Sequence, residues 1–169
     1  MKRVVVTGIG LLTSIGSNYK ESWNNLLSGI SGIKSIDHFD TEDLPCKIAG
    51  HIENDSSKDY YYDPLTHLEK KDLNRNDRFI QYGIAAAKMA VEDAGITDIS
   101  DQDKLQVGVT IGSGIGGLET IYNGSITLVN KGARRISPFF IPSSLINLLS
   151  GQISIRFGFK GPNHSVVTA

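Results

Sequence analysis

Apolar positions change period several times along the chain, and each change marks an element. Lys2–Thr7 is β-branched and uninterrupted, which predicts a strand buried on both faces of a parallel sheet. Gly8 and Gly10 then turn the chain. Tyr19, Trp23, Leu26, Leu27 and Ile30 fall at i, i+4, i+7, i+8 and i+11, the spacing of one helical face. Ser17 or Asn18 can cap that helix, and Gly29 with Gly32 can end it. From Ile33 to about Arg75 the periodicity lapses. This stretch, rich in Asp, Lys and Tyr, is expected to be a surface excursion anchored by Phe39, Leu44 and Ile48.

Helical spacing resumes near Asp77 with a stripe of Phe79, Tyr82, Ala86, Met89, Ala90 and Ala94, closed by Gly95. Gln106–Ile111 is a second buried-type strand, followed by the glycine-rich GSGIGG and a helix over about Leu118–Val129. A basic turn holds Arg134 and Arg135. Ser137–Pro142 reads as extended, and Ser143 or Ser144 caps a helix carrying Leu145, Ile146, Leu148, Leu149 and Ile153 up to Gly158. A third strand is expected at Ser165–Thr168. Strands alternating with helices predict an α/β layered fold with three mainly parallel strands and flanking helices. No internal repeat is present, and three strands are few for a sheet covered on both faces, so the unit is expected to be incomplete.

Composition narrows the picture without redirecting it. The 169 residues are 40% apolar, 8% aromatic and 21% charged, as in an ordinary soluble domain. The net charge of −1 argues against nucleic-acid binding by bulk charge. No apolar run approaches the roughly 20 residues that span a bilayer. The N-terminus lacks the pattern of a signal peptide. A cytoplasmic protein without membrane contact is therefore expected.

Candidate chemistry is sparse. Gly112-x-Gly114-x-x-Gly117 follows a strand and precedes a helix, as in dinucleotide-binding loops. Such loops also need an acidic residue about 20 positions on, at the end of another strand. Here Lys131–Ser137 is basic and without a strand, and Glu119 lies too close, so a dinucleotide-binding domain is the less favoured alternative. The other reading is that these glycines let backbone pass close to a neighbour. The single cysteine, Cys46, is expected to be an incidental thiol. His38, His51, His67 and His164 show no ligand spacing, so neither a metal site nor a cofactor is assigned. Two groups of cations, Lys70, Lys71, Arg75 and Arg78, then Arg134 and Arg135, are either solvated surface or a docking patch for an acidic partner.

Taken in order, VVVTGIGLLTSIG, SGISGIKSIDHFD, DRFIQYGIAAAKMA, GSGIGG and RRISPFFIPSSLINLLSGQISIRFGFKGPNHSVVTA resemble the N-terminal portion of the elongating β-ketoacyl-acyl carrier protein synthases, type II. The resemblance runs from Arg3 to Ala169 and is weakest from Asn54 to Leu73. It implies that residues 1–169 are an incomplete N-terminal half of a thiolase-like αβαβα fold, with the excursion at about 33–75. It also implies a decarboxylating condensation of acyl thioesters with malonyl-acyl carrier protein in fatty-acid elongation. In that family the strand ending here at Thr168-Ala169 leads directly to the nucleophilic cysteine at a helix N-terminus. Unpaired N–H groups there favour the thiolate and stabilise an oxyanion.

No catalytic residue is assigned within the chain, which is therefore expected to be inactive by itself in condensation. The resemblance carries substrate-binding roles to Gly114 and Ile115, at the mouth of the acyl pocket, and to Phe140, lining the acyl tunnel across the dimer interface. Without the resemblance, Ile115 and Phe140 would be read as core packing. It places Lys71, Arg75, Arg134 and Arg135 on the carrier-docking surface. Asn74 stands where the family often has a cation, and Arg78 is the candidate substitute. Implied partners are acyl carrier protein, acyl and malonyl thioesters, a second copy in a homodimer, and a C-terminal fragment that covers the missing strands. A non-catalytic carrier-binding or partner subunit is the alternative.

Overall fold

The computed structural model describes residues 3–167. Helix α1 (Tyr19–Leu27) begins at Asn18, whose side chain accepts from the Glu21 N–H at 3.0 Å. Glu21 Oε2 in turn accepts from the Ser17 N–H at 2.6 Å, a reciprocal cap one residue wider than the usual box. The helix stops at Ser28, with Gly29 at φ +72°. Its orientation differs from expectation. Trp23, Leu26 and Leu27 are exposed, whereas Ser22 is buried, its Oγ 2.8 Å from Thr13 Oγ1. A side chain on Gly16 would collide with Ser22, so the helix approaches the preceding segment through its small polar face.

The excursion is more structured than its aperiodic sequence suggests. Strands β1 (Ile33–Ser35) and β2 (Ile48–Gly50) pair antiparallel, with Ile33 opposite Gly50 and Ser35 opposite Ile48. A 3-10 turn at Pro64–Thr66 and the short helix α2 (Lys70–Leu73) follow. The expected anchors Phe39, Leu44 and Ile48 are all exposed. Tyr62 and Leu68 are buried instead, Tyr62 stacking on His67 and meeting Tyr82 edge-on. Phe39 makes an edge contact with His38, an exposed residue.

Helix α3 (Arg78–Asp93) is capped by Asp77 and ends at Ala94, with Gly95 at φ +67°. Its buried face is Ile80, Ile84, Ala85 and Val91, not the predicted stripe. Ala86, Ala90 and Ala94 of that stripe serve a second contact: a Cβ on Gly8 or Gly10 would overlap the Ala90 or Ala86 carbonyl, so the glycine turn lies directly on the helix. The Ile9 N–H donates to Asp93 Oδ2 at 2.9 Å beside it.

A short helix α4 (Asp101–Lys104) leads to β3 (Val109–Gly112). The strand starts later than expected because the N–H groups of Gln106 and Val107 still donate to the carbonyls of Asp103 and Lys104 in the turn. The chain continues through α5 (Leu118–Lys131), a 3-10 turn at Ala133–Arg135, α6 (Phe140–Ser144) and α7 (Asn147–Phe157), and returns as β4 (Asn163–Val166). Strand β4 runs parallel to β3, with Val109 opposite Asn163 and Gly112 opposite Val166. Of the predicted third strand, Thr168 lies outside the described residues. Phe140–Ser144 is helical where extension or a cap was expected: the Ser143 N–H donates to the Phe139 carbonyl at 2.8 Å, and the Ser143 and Ser144 hydroxyls donate to the Phe139 and Phe140 carbonyls at 2.6 and 2.5 Å.

The three mainly parallel strands thus reduce to one parallel pair and one antiparallel hairpin among the described residues. Residues 3–7 join no ladder there, and Val4, Val5 and Val6 are exposed. A β-branched run becomes a strand only when a neighbour supplies the other half of its hydrogen bonds.

The core joins Ile80, Ile84 and Val91 of α3 to Leu149 and Ile153 of α7, Val109 of β3, and Phe159 and Leu68. Each such side chain contributes about 1.5–3 kcal/mol on burial. Helices α3 and α7 meet where Gly83 admits the Leu149 methyl groups. Gly158 ends α7 in the left-handed conformation at φ +71°.

Asp72 of α2 is buried and pairs with Arg156 of α7 at 2.7 Å. Burial pushes its carboxyl up, but the Arg156 hydrogen bond and the Glu69 N–H outweigh this and hold it below the ordinary carboxylate value. Replacing Arg156 by Met leaves this carboxylate buried without its partner, and is expected to destabilise the chain by roughly 1–3 kcal/mol at neutral pH. Because the folded value is depressed, the pair's contribution is complete above about pH 4 and fades as pH falls through that lower value. Urea unfolding of both proteins across this range checks it: the difference between them must shrink on acidification.

Candidate functional site

The ends of α2 and α3 face the start of α5, the Ala133–Arg135 turn and α6 across an open cleft of about 440 Å³. Its wall includes Arg75, Arg78, Glu119, Arg135, Phe139 and Phe140. Phe140 is half-buried, and its ring lies against Gly124, where α5 offers no side chain. The Arg75 guanidinium sits 5.0 Å from the centre of the Phe139 ring, a cation–π distance. The fold therefore brings Arg75 and Arg78 of the first predicted cluster and Arg135 of the second to the same cleft as Phe140.

The other expected residues are placed differently. Arg134 is exposed beside Arg135 but is not part of the cleft wall. Lys71 is exposed and bound to Glu69 at 2.7 Å. Arg78, the candidate substitute for a cation at Asn74, pairs with Glu119 at 3.0 Å, so its charge is already engaged. Arg75, Arg134 and Arg135 form no ion pair among the described residues. Gly114 and Ile115 do not line the cleft, and Ile115 is 62% exposed, which excludes the core-packing reading for it within this chain. Phe140, by contrast, does pack.

The glycine loop has a structural explanation. Gly116 adopts φ +108°, and side chains on Gly116 and Gly117 would strike the Ser144 and Ser143 carbonyls. The Gly117 N–H donates to the Ser144 carbonyl at 3.0 Å. These glycines let the loop lie against α6. The strand–loop–helix context of a dinucleotide site is present, but 131–139 contains a 3-10 turn and no strand to deliver an acidic residue.

Sequence reasoning missed the carboxylate that orders this region. Asp77 Oδ1 accepts from Phe79 N at 3.4 Å as the cap of α3, and Oδ2 accepts from Thr120 N at 2.9 Å in the first turn of α5. One buried side chain thus joins the starts of two helices through a bond between residues 43 apart in sequence. Its Asp-before-helix position signalled the cap and nothing of the second bond. Sequence spacing likewise gave no hint that Asp37, His38 and His51 converge in a separate cleft.

This architecture is that of the ketosynthases. The chain superposes over 97% of its length on 39% of a structure described as the ishigamide ketosynthase/chain length factor, with TM-score 0.79 and 27% identity. It superposes over 94% of its length on 40% of a type II polyketide ketosynthase solved in complex with its acyl-carrier protein, with TM-score 0.69 and 23% identity.

Residues 1–169 match the family described as beta-ketoacyl synthase, N-terminal domain, and the chain belongs to that family. It is 49% identical over 169 residues to 3-oxoacyl-[acyl-carrier-protein] synthase 2 of Rhizobium meliloti, covering all of this chain and 40% of that protein. It is 46% identical over 168 residues to the protein of that name from Staphylococcus aureus strain N315, covering 99% of this chain and 39% of that protein. The chain therefore spans about 40% of the length of these relatives.

Removing the Asp77 carboxylate with Asp77→Ala breaks the cap and the tie together, and is expected to cost roughly 1–3 kcal/mol. Asp77→Asn keeps one acceptor and is expected to cost less. Thermal unfolding of the two variants checks the order.

Proposed function

We propose that residues 1–169 act as the N-terminal domain, with its excursion at about 33–75, of a condensing enzyme that elongates acyl thioesters with malonyl-acyl carrier protein. The observation that carries this reading is the 49% identity, over the whole chain, to a 3-oxoacyl-[acyl-carrier-protein] synthase 2. In this reading the enzyme works in the cytoplasm as a homodimer, and the nucleophilic cysteine follows Ala169. The parallel pair β3–β4 supports such a placement, since chemistry in open α/β sheets gathers at the carboxyl ends of the strands. No helix among the described residues is long and apolar enough to cross a membrane.

Acyl carrier protein docks, in this reading, on the face that carries Arg75, Arg134 and Arg135. Three cations without an ion-pair partner among the described residues, two of them on one cleft, suit an acidic partner that is steered in by charge. Lys71 contributes less because Glu69 neutralises it. Phe140 and Ile115 serve the acyl chain, Gly114 leaving backbone room beside Ile115. The exposed faces of Val4, Val6, Trp23 and Leu27 are covered by the rest of the enzyme or by a C-terminal fragment. A second reading is a carrier-binding subunit without condensation of its own. It is favoured by the likeness to a structure described as a ketosynthase/chain length factor.

Arg75→Glu with Arg135→Glu is expected to weaken binding of acyl carrier protein at least about tenfold at low salt, with Lys71→Glu weaker in effect. Titration calorimetry at two ionic strengths measures this. Unchanged affinity in the double variant removes the docking assignment. Carrier binding with neither acyl transfer nor condensation in the full-length protein supports the second reading.

A further inference from the structure

Away from the basic cleft, the excursion folds three potential ligands together. One ligand atom each from Asp37, His38 and His51 lies within 4.8 Å of the others. The two imidazole ring centres are 5.1 Å apart and tilted at 56°. Both sit beside the β1–β2 hairpin: Asp37 and His38 lie just beyond β1, and His51 follows β2 directly. They open onto a cleft of about 420 Å³ whose wall also includes Glu53, Arg78 and Tyr82.

Two further observations point to a ligand there. His51 Nδ1 is shielded from solvent and has no hydrogen-bond partner among the described residues, although buried polar atoms are almost always paired. Its other nitrogen, Nε2, lies 3.5 Å from Glu53 Oε2, and the Glu53 side chain is only 12% exposed. A carboxylate behind an imidazole is the usual means of holding a metal-binding histidine in one orientation.

We propose that Asp37, His38 and His51 bind one divalent transition-metal ion, with Zn²⁺ the best match. Two imidazoles and a carboxylate suit Zn²⁺ more than Mg²⁺ or Ca²⁺, which prefer oxygen alone. Tetrahedral zinc with bonds of about 2.0–2.1 Å sets its ligand atoms roughly 3.4 Å apart, so side-chain rotation has to close on the order of 1 Å. Asp37 and His38 are exposed and free to make it.

The present occupant of the carboxylate is the Lys58 ammonium, 3.0 Å from Asp37 Oδ2, with both side chains about half exposed. Such a surface pair is weak, so the ion displaces it, and Lys58 leaves still protonated. Arg78, the other cation of the cleft, is held by Glu119. Three protein ligands leave a fourth position for water. The ion clips the residues after β1 to those after β2, which makes this a staple of the excursion, apart from the basic cleft.

The test is titration of untagged, chelator-stripped protein with Zn²⁺ against a chromophoric competitor. One equivalent is expected to bind in the micromolar range or tighter. His38→Ala and His51→Ala are each expected to weaken binding by roughly tenfold or more, while Cys46→Ser and His164→Gln leave it unchanged. Co²⁺ in place of Zn²⁺ is expected to give d–d absorption without a thiolate charge-transfer band. Lys58→Gln, which removes only an exposed ammonium, is expected to tighten binding several-fold, and so tests the site even if a histidine variant fails to fold. Absence of binding in this range, loss on Cys46→Ser rather than on the histidine changes, or an affinity not raised by Lys58→Gln overturns the proposal.

Discussion

The contact between α3 and α7 organises the described chain. It exists because Gly83 has no side chain and Leu149 fills the space, with Ile80, Ile84 and Ile153 completing the seam. From it, order spreads in two directions. On one side α3 presents Asp77 at its start, and that carboxylate fixes the first turn of α5 and with it the glycine loop. On the other, α7 holds β4 through polar groups as well as apolar ones. The fully buried Ser150 hydroxyl lies 2.7 Å from Asn163 Oδ1 and 2.8 Å from Ser165 Oγ. Asn163 Nδ2 donates back to the Ser150 carbonyl and to Ser154 Oγ. A network this closed sets the register of the strand as well as its position.

Charged and apolar groups share the outside of the molecule. Arg75 and Arg135, without ion-pair partners among the described residues, share the cleft between α2–α3 and α5–α6, while Trp23, Leu26, Leu27, the valines of 4–6 and, on α5 itself, Leu118, Ile121 and Tyr122 are exposed. Exposed apolar faces of this kind belong to interfaces. Burial of α3 and α7 is internal to the chain, whereas α1 and the N-terminal run leave large apolar side chains exposed.

Local signals were read well because they are local. The cap at Asn18, the glycine stops at Gly29, Gly95 and Gly158, and the helix expected over about Leu118–Val129, observed to Lys131, all follow from bonds within a turn or two. Lys71, Arg75, Arg134 and Arg135 were legible as clusters for the same reason, since neighbours in sequence stay neighbours on a surface. Which of them is neutralised was not legible, because Glu119 reaches Arg78 from another helix. Nor was the convergence of His38 with His51, which no helical or strand period connects.

By itself, then, the sequence determined the long helices α1, α3 and α5, the glycine stops, the strands at β3 and β4, and the family. Tertiary structure decided which faces are buried, which β-branched runs become strands, and which side chains share a cleft. The division is physical. A cap or a turn closes its hydrogen bonds among residues a few positions apart, so the sequence contains both partners. A ladder, a buried face or a ligand cluster needs a partner brought from far along the chain, and only the packed arrangement supplies it.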